Sequence, residues 1–389
     1  MSDFINFMRE FRKLPETERQ KLTKFSKYLS EAELKYVEKL LKQKVIDIEL
    51  VKPSYSNFLD APSKPTIKVI QSETEQIKKI KSKLNQKYSE KIFSLISKTE
   101  IDKFVAPNIV GMDDVKKAAA LILFSKEPFH LLLLGDPGTG KTDIISSIDK
   151  YSPISSFGLG SGTSGVGLAV TVQGNEVKPG LLPLANNGIA CIDELNLMKE
   201  ENRASLYNAM EKGFVSYDKA GKHIKFDAKI SVAATANPKG DKFSGKTIEK
   251  LDKQLPFDSA LLTRFHLLFL VRKPSLKEFK EISKKIIAGN KVNVTDEFEK
   301  IIKDYIKKAR QIKVSLPKEL EKEIVDFVEE LKLTEKNYLT EISPRLVVGF
   351  VRMAQAKARM RLRNEVTRDD IKYVQDIIES SLKIGVKES

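Results

Sequence analysis

Three short stretches concentrate side chains that could do chemistry. Gly135-Asp136-Pro137-Gly138-Thr139-Gly140-Lys141-Thr142 matches G-x-x-x-x-G-K-[ST] at every fixed position. Glycines at 135, 138 and 140 allow the backbone N–H groups to turn inward on phosphate oxygens. Lys141 would set a point charge on the β- and γ-phosphates, and the Thr142 hydroxyl would ligate Mg²⁺. Roughly fifty residues further on, Ala190-Cys191-Ile192 runs into Asp193-Glu194, two adjacent carboxylates. The first suits a Mg²⁺ shell and the second suits an attacking water. Asn237 closes the run Lys229–Ala236 just before Pro238, where an amide can sit beside that water and the γ-phosphate. Two arginines complete the set. Arg264 lies at a helix-to-strand junction and has the setting of an arginine finger, a group that can be worth roughly 10³–10⁵ in rate. Arg345 follows a Ser343-Pro344 helix start, which fixes it well enough to sense phosphate.

These side chains need a rigid frame. Leu131–Leu134 is an uninterrupted apolar run, as expected for a strand buried on both faces of a parallel sheet. The segment Asp143–Lys150 can open as a helix whose positive end faces the same phosphates. Candidate sheet strands are 130–134, 188–193, 230–236 and 267–271, and they alternate with helix-like segments from about 105 to 272. That alternation predicts an α/β domain with a parallel sheet. Glycine-rich and polar segments between the strands read as hairpins, and everything from 275 onward reads as helix. Cys191 reads as a small core residue rather than a reactive thiol.

The chain has 389 residues, room for two or three domains with proper cores. It holds no run of about 18 apolar residues, and Met1–Lys13 has no secretory h-region. A single cysteine excludes an intrachain disulfide and a cysteine-based zinc site. A soluble, intracellular, cytoplasmic protein with no membrane partner is expected. A net charge of +15 fits either a polyanionic partner or a lysine-rich solubility surface. Residues 1–50 read as a small helical module, with Ser30 and Glu33 as a capping box and Leu34, Val37, Leu40 and Leu41 on one face. It could dock a protein partner, support oligomerisation or shield the main domain. Residues 51–72, with Pro53, Pro62 and Pro65, read as a linker. A basic amphipathic helix follows, with Lys78, Lys79, Lys81, Lys83 and Lys87 around Ile77, Ile80 and Leu84.

The order and wording of these motifs resemble AAA+ ATPases, and within them the minichromosome maintenance (MCM) family of hexameric DNA helicases. The likeness runs through Ile109-Val110-Gly111, the phosphate loop and Thr163–Leu168. It continues through Pro179–Ala185, Gly188–Glu194, Ala209-Met210-Glu211, Lys219-Ala220-Gly221, Ala234–Pro238 and Leu261–Phe265. It spans about residues 88–380 and implies an AAA+ P-loop core with a parallel sheet and β-hairpin inserts. The implied division is a helical module (1–50), a linker and basic helix (51–87), an α/β ATPase core (88–273) and an all-α lid (274–389). The resemblance further implies ATP and Mg²⁺ as ligands, Asp193 and Glu194 as the Walker B pair and Asn237 as sensor 1. It makes Arg264 the finger and Arg345 sensor 2, both acting on a neighbour's ATP in a homo-hexameric ring. Two hairpins would line the channel around single-stranded DNA. Val170–Lys178 would be the helix-2 insert, and Val215–Phe226 the pre-sensor-1 hairpin with Lys219, Lys222 and Lys225. Lysines at such positions, Lys178 included, suit sequence-independent phosphate contact.

The sequence also departs from the family. About 90 helical, cysteine-poor residues stand where an OB-fold and zinc collar is usual, so the collar is expected to be missing, and no winged helix is expected after 380. Thr263-Arg264-Phe265-His266 replaces the family's Ser-Arg-Phe-Asp, and Asn196-Leu197-Met198 replaces Asp-Lys-Met. The latter phrase is similar to magnesium-chelatase and MoxR-type ATPases. The first expectation is therefore an ATP-driven, ring-forming DNA helicase or translocase acting in replication. The alternatives are an AAA+ remodeller of a protein partner and a nucleotide-dependent DNA-binding scaffold.

Overall fold

The computed structural model describes residues 16–54, 59–162, 165–173, 176–219, 222–240, 242–244, 247–287 and 294–383. The expectations for Met1–Pro15 and for the hairpin turns at 174–175 and 220–221 lie outside these residues. The chain forms two compact units.

In the first unit, the described residues up to Thr99 are grouped with Val294–Ile301. Helices α1 (Glu16–Phe25) and α2 (Glu31–Lys42) precede strands β1 (Ile46–Val51) and β2 (Lys64–Val69) and the 22-residue helix α3 (Glu75–Ile96). Both halves of the Ser30–Glu33 capping box are made, and Leu34, Val37, Leu40 and Leu41 are buried as the spacing predicts. The antiparallel pair β1–β2 corrects the reading of 51–72 as linker: Ile67 of β2 sits opposite Ile48, and both are buried. Pro65 falls in β2 and Pro62 just before it, which disguised a short strand whose alternation covers only a few residues. Helix α3 runs through the expected 87/88 boundary, with Ile77, Ile80, Leu84, Tyr88, Ile92 and Ile96 along its buried stripe. On its polar face Lys78 pairs with Glu75, Lys81 with Glu73 and Lys83 with Glu33, at 2.7–2.8 Å. Three of the five lysines of this basic face are thus already matched by acids.

The second unit holds Glu100–Asn293 and Ile302–Ser389. Its helices are α4 (Asp113–Phe124), α5 (Lys141–Tyr151), α6 (Gly165–Ala169), α7 (Leu181–Leu184), α8 (Ala204–Lys212), α9 (Ile248–Asp252) and α10 (Ser259–Leu262). The strands β3 (Leu131–Gly135), β4 (Ser155–Leu159), β7 (Ile189–Asp193), β10 (Ser231–Ala236) and β11 (Leu267–Val271) make one parallel sheet in the order β11-β3-β10-β7-β4. Leu131–Leu134 are each fully buried, a stabilisation of about 1.5–3 kcal/mol per side chain. Strand β4 escaped the sequence reading because it lies at the sheet edge, with Phe157 and Leu159 exposed and no continuous apolar run. Two antiparallel hairpins stand apart from the sheet, β5 (Val170–Gln173) with β6 (Glu176–Pro179) and β8 (Phe214–Lys219) with β9 (Lys222–Asp227). Helices α11 (Leu276–Ile287), α12 (Asp296–Arg310, whose first turns belong to the first unit), α13 (Lys318–Leu333), α14 (Pro344–Met360) and α15 (Arg368–Leu382) follow. Among the described residues no helix is long and apolar enough to cross a membrane.

Candidate nucleotide site

The glycines of the phosphate loop divide their work. Gly138 and Gly140 have φ of +75° and +84°, the left-handed turn that admits glycine most readily, and Gly140 caps α5. Gly135 serves packing instead: a Cβ there would lie 2.0 Å from the Val271 carbonyl oxygen of β11. The Lys141 side chain folds back on the loop, with Nζ donating to the carbonyls of Gly135 (2.9 Å) and Asp136 (2.7 Å). Burial pushes its pKa down to about 8, against the opposing pull of Asp136 and Asp193. Asp136 is 3% exposed, and its carboxylate accepts the N–H groups of Phe243 (2.9 Å) and Lys273 (3.1 Å). In the sequence it is one of eight loop residues; in the fold it staples the loop to the segments that follow β10 and β11.

The carboxylate of Asp193, the last residue of β7, is the hub of the site. Its Oδ2 accepts the Thr142 hydroxyl at 2.9 Å. Its Oδ1 accepts the Thr235 hydroxyl and, at 3.2 Å, the Glu194 N–H. That same N–H lies 3.0 Å from the Thr235 hydroxyl oxygen. Glu194 sits in the left-handed region (φ 53°), a turn that costs a non-glycine residue about 1–2 kcal/mol and is fixed by these bonds. Gly160 packs against the same turn, its N–H donating to the Asp193 carbonyl at 2.7 Å, and a Cβ there would lie 2.2 Å from the Glu194 oxygen. The Asn237 backbone N–H donates to the side-chain oxygen of Asn196 at 2.9 Å. The fold thus brings together Lys141, Thr142, Asp193, Glu194 and Asn237 at the carboxyl ends of β3, β7 and β10. The sequence reading missed Thr235, Gly160 and the supporting role of Asn196. The signal for Thr235 was present, a lone hydroxyl in the run Val232-Ala233-Ala234-Thr235-Ala236. Cys191 is fully buried in β7, and burial pushes its thiol pKa far up, so it is inert.

The residues fit a magnesium nucleotide. A hydroxyl and a carboxylate offer hard oxygen donors beside a cationic ammonium. Among the described residues no cluster of three or more His, Cys, Asp or Glu could hold a metal ion.

Arg264 and Arg345 belong to the opposite edge of the sheet. Arg264 precedes β11, whose Leu267 is level with Leu131 and whose Val271 is level with Gly135, four steps or about 13 Å further along. Its guanidinium pairs with Glu211 at 2.9 Å, donates to the Ala260 carbonyl and lies 4.8 Å over the Tyr207 ring. Arg345, at the start of α14, donates to the Thr263 carbonyl at 2.9 Å, so the two arginines share one turn. Among the described residues neither makes a hydrogen bond to the phosphate loop.

In the hairpins, Lys178 stands opposite Thr171 and lies 3.5 Å from Glu176. Lys225 lies 3.8 Å over the Phe214 ring. Lys219 and Lys222 are register partners at the free end of β8–β9, and their side chains are outside the described residues.

A parallel sheet in this order, a phosphate loop leaving its second strand, an acid pair ending its fourth and a helical lid together define an AAA+ P-loop domain. The comparisons narrow the class. Residues 83–290 match the MCM P-loop domain and residues 300–382 the MCM AAA-lid domain, so the chain belongs to the MCM family. It is 31% identical over 303 residues to the "DNA replication licensing factor mcm7" of Schizosaccharomyces pombe, covering 70% of this chain and 40% of that protein. It is 30% identical over 306 residues to the "Minichromosome maintenance protein MCM" of Saccharolobus solfataricus, covering 72% and 44%. A third relative, "DNA replication licensing factor MCM5" of Arabidopsis thaliana, is 28% identical over 312 residues, covering 71% and 43%. The matched region spans less than half the length of these relatives.

Proposed function

We propose that this chain is an ATP-hydrolysing subunit of a ring-forming DNA motor of MCM type acting in replication. The observation that carries the reading is the separation of two half-sites on one sheet. Lys141, Thr142, Asp193 and Glu194 gather at one edge, while Arg264 and Arg345 share a turn at the other. A nucleotide held at the first edge of one subunit would be completed by the arginine edge of the next, which favours a closed ring of copies of this chain, with six copies as the proposed number.

In this reading Lys141 neutralises the β- and γ-phosphates, and Thr142 with Asp193 would hold Mg²⁺, which supplies charge stabilisation at the phosphoryl oxygens. Glu194 orients the attacking water and accepts its proton, with the Asn237 amide beside it. Arg264 of the adjacent subunit supports the charge that develops on the γ-phosphate. The hairpins carrying Lys178, Lys219, Lys222 and Lys225 contact the phosphates of single-stranded DNA without reading bases.

The test is ATP turnover with and without single-stranded DNA at two salt concentrations. Stimulation by DNA, with an affinity that drops steeply as salt rises, is expected. Turnover indifferent to DNA, with binding indifferent to salt, would remove the DNA-motor reading.

A further inference from the structure

The turn that carries Arg264 is anchored on a buried pair of histidines. His266 follows Arg264 by two residues and stands where the family's motif has aspartate. The His266 Nδ1 accepts the backbone N–H of His130 at 3.0 Å, and the His266 backbone N–H donates to the His130 carbonyl at 3.0 Å. His130 in turn takes the Val232 N–H on its Nδ1 at 3.1 Å and is hydrogen-bonded to the Met210 backbone. With both Nδ1 atoms accepting, each ring carries its proton on Nε2. The rings lie 5.2 Å apart between centroids, and the lid packs against them: a Cβ at Gly349 of α14 would lie 2.5 Å from His266 Cδ2. The pair therefore joins four parts of the domain, namely β10, the start of β3, helix α8 leading to the β8–β9 hairpin, and helix α14, whose first turn carries Arg345. The Arg345 guanidinium holds the same turn through the Thr263 carbonyl.

We infer that His266, seated on His130, is a positioning residue that fixes the turn Thr263–Phe265 so that Arg264 and Arg345 reach a neighbouring subunit's nucleotide. The inference rests on the ring reading above. A backbone held at both ends fixes where the Arg264 side chain starts, and an ångström of misplacement at a catalytic group can cost about a hundredfold in rate. Both imidazoles are buried and stay neutral, since burial and the facing cations Arg345 and Arg352 disfavour a second proton. The link therefore acts through hydrogen bonds and packing and carries no charge.

Three substitutions test it. His266→Asn keeps an acceptor near the Nδ1 position, His266→Gln moves it toward Nε2, and His266→Leu removes it. The expected result is that Asn retains the parent's turnover while Gln and Leu lose about a hundredfold, with each variant's nucleotide affinity unchanged. Mixing supplies the second readout. Lys141→Ala subunits, which keep their arginines, should restore turnover to His266→Leu subunits, which keep their phosphate loop. The control mixes Lys141→Ala with Arg264→Ala. If that control gives no activity, the ring reading fails. If the control works but the His266→Leu mixture stays silent, the positioning role is overturned. It is equally overturned if nucleotide affinity falls together with turnover. Should the leucine variant fail to fold, equal turnover of the Asn and Gln variants would overturn it.

Discussion

The two edges of the central sheet solve opposite electrostatic problems with the same backbone. At the carboxyl edge, ionisable groups are taken out of water and each is matched: Lys141 by two carbonyls, Asp136 by two N–H groups, Asp193 by two hydroxyls and an N–H. At the amino edge the buried polar groups are neutral imidazoles, and the arginines sit at the rim, with Arg264 19% exposed. The first edge keeps buried charge ready for a polyanionic ligand. The second keeps its charge near the surface, with Arg264 paired to Glu211, beside buried imidazoles that carry none. Burial of an unmatched charge would cost several kcal/mol, so the two arrangements cannot be exchanged.

Removing one group from each edge separates their roles. Arg264→Ala should lower turnover by roughly 10³–10⁵ while nucleotide binding, measured by fluorescence titration, stays at the parent level. Normal turnover would end the finger role. Thr235→Val preserves shape and deletes the hydroxyl shared by Asp193 and Glu194. It should destabilise the domain by about 1–3 kcal/mol in urea melts, and turnover should fall along with it. The two edges also respond to pH in opposite directions. With Lys141 at about 8 in the free protein, nucleotide affinity should weaken by about tenfold per pH unit above 8, because the ammonium must be restored on binding. A flat affinity between pH 8 and 9.5 would contradict the desolvated lysine. The second pH effect is expected at the amino edge. His130 is held down to about 3, so below pH 6.5 the unfolded chain gains a proton that the native chain refuses. Stability should then fall by about 1.4 kcal/mol per pH unit for each such histidine as pH drops below 6.5, and His130→Asn should flatten the slope.

Much of the carboxyl edge was legible in the residues themselves. Loop, acid pair and Asn237 are local words, and strands as apolar as Leu131–Leu134 and Ile189–Ile192 announce a buried parallel sheet without help from neighbours. The edge strand Ser155–Leu159 and the pair Ile46–Val51 with Lys64–Val69 were not legible, since half-exposed or proline-bearing strands lack a decisive period. The amino edge was legible only as a departure, histidine where the family has aspartate. Nothing near His130 in the chain indicates that its partner lies 136 residues away.

A phosphate loop, an acid pair and two arginines can be read from the chain alone, because each depends on residue type and short spacing. Which of them share an edge depends on how the strands assemble. Strand order and register place Thr235 against Asp193, Gly135 against Val271 and Arg264 at the far end of the strand beside the loop. Contacts of that kind depend on where distant segments pack, and no local pattern encodes their distance.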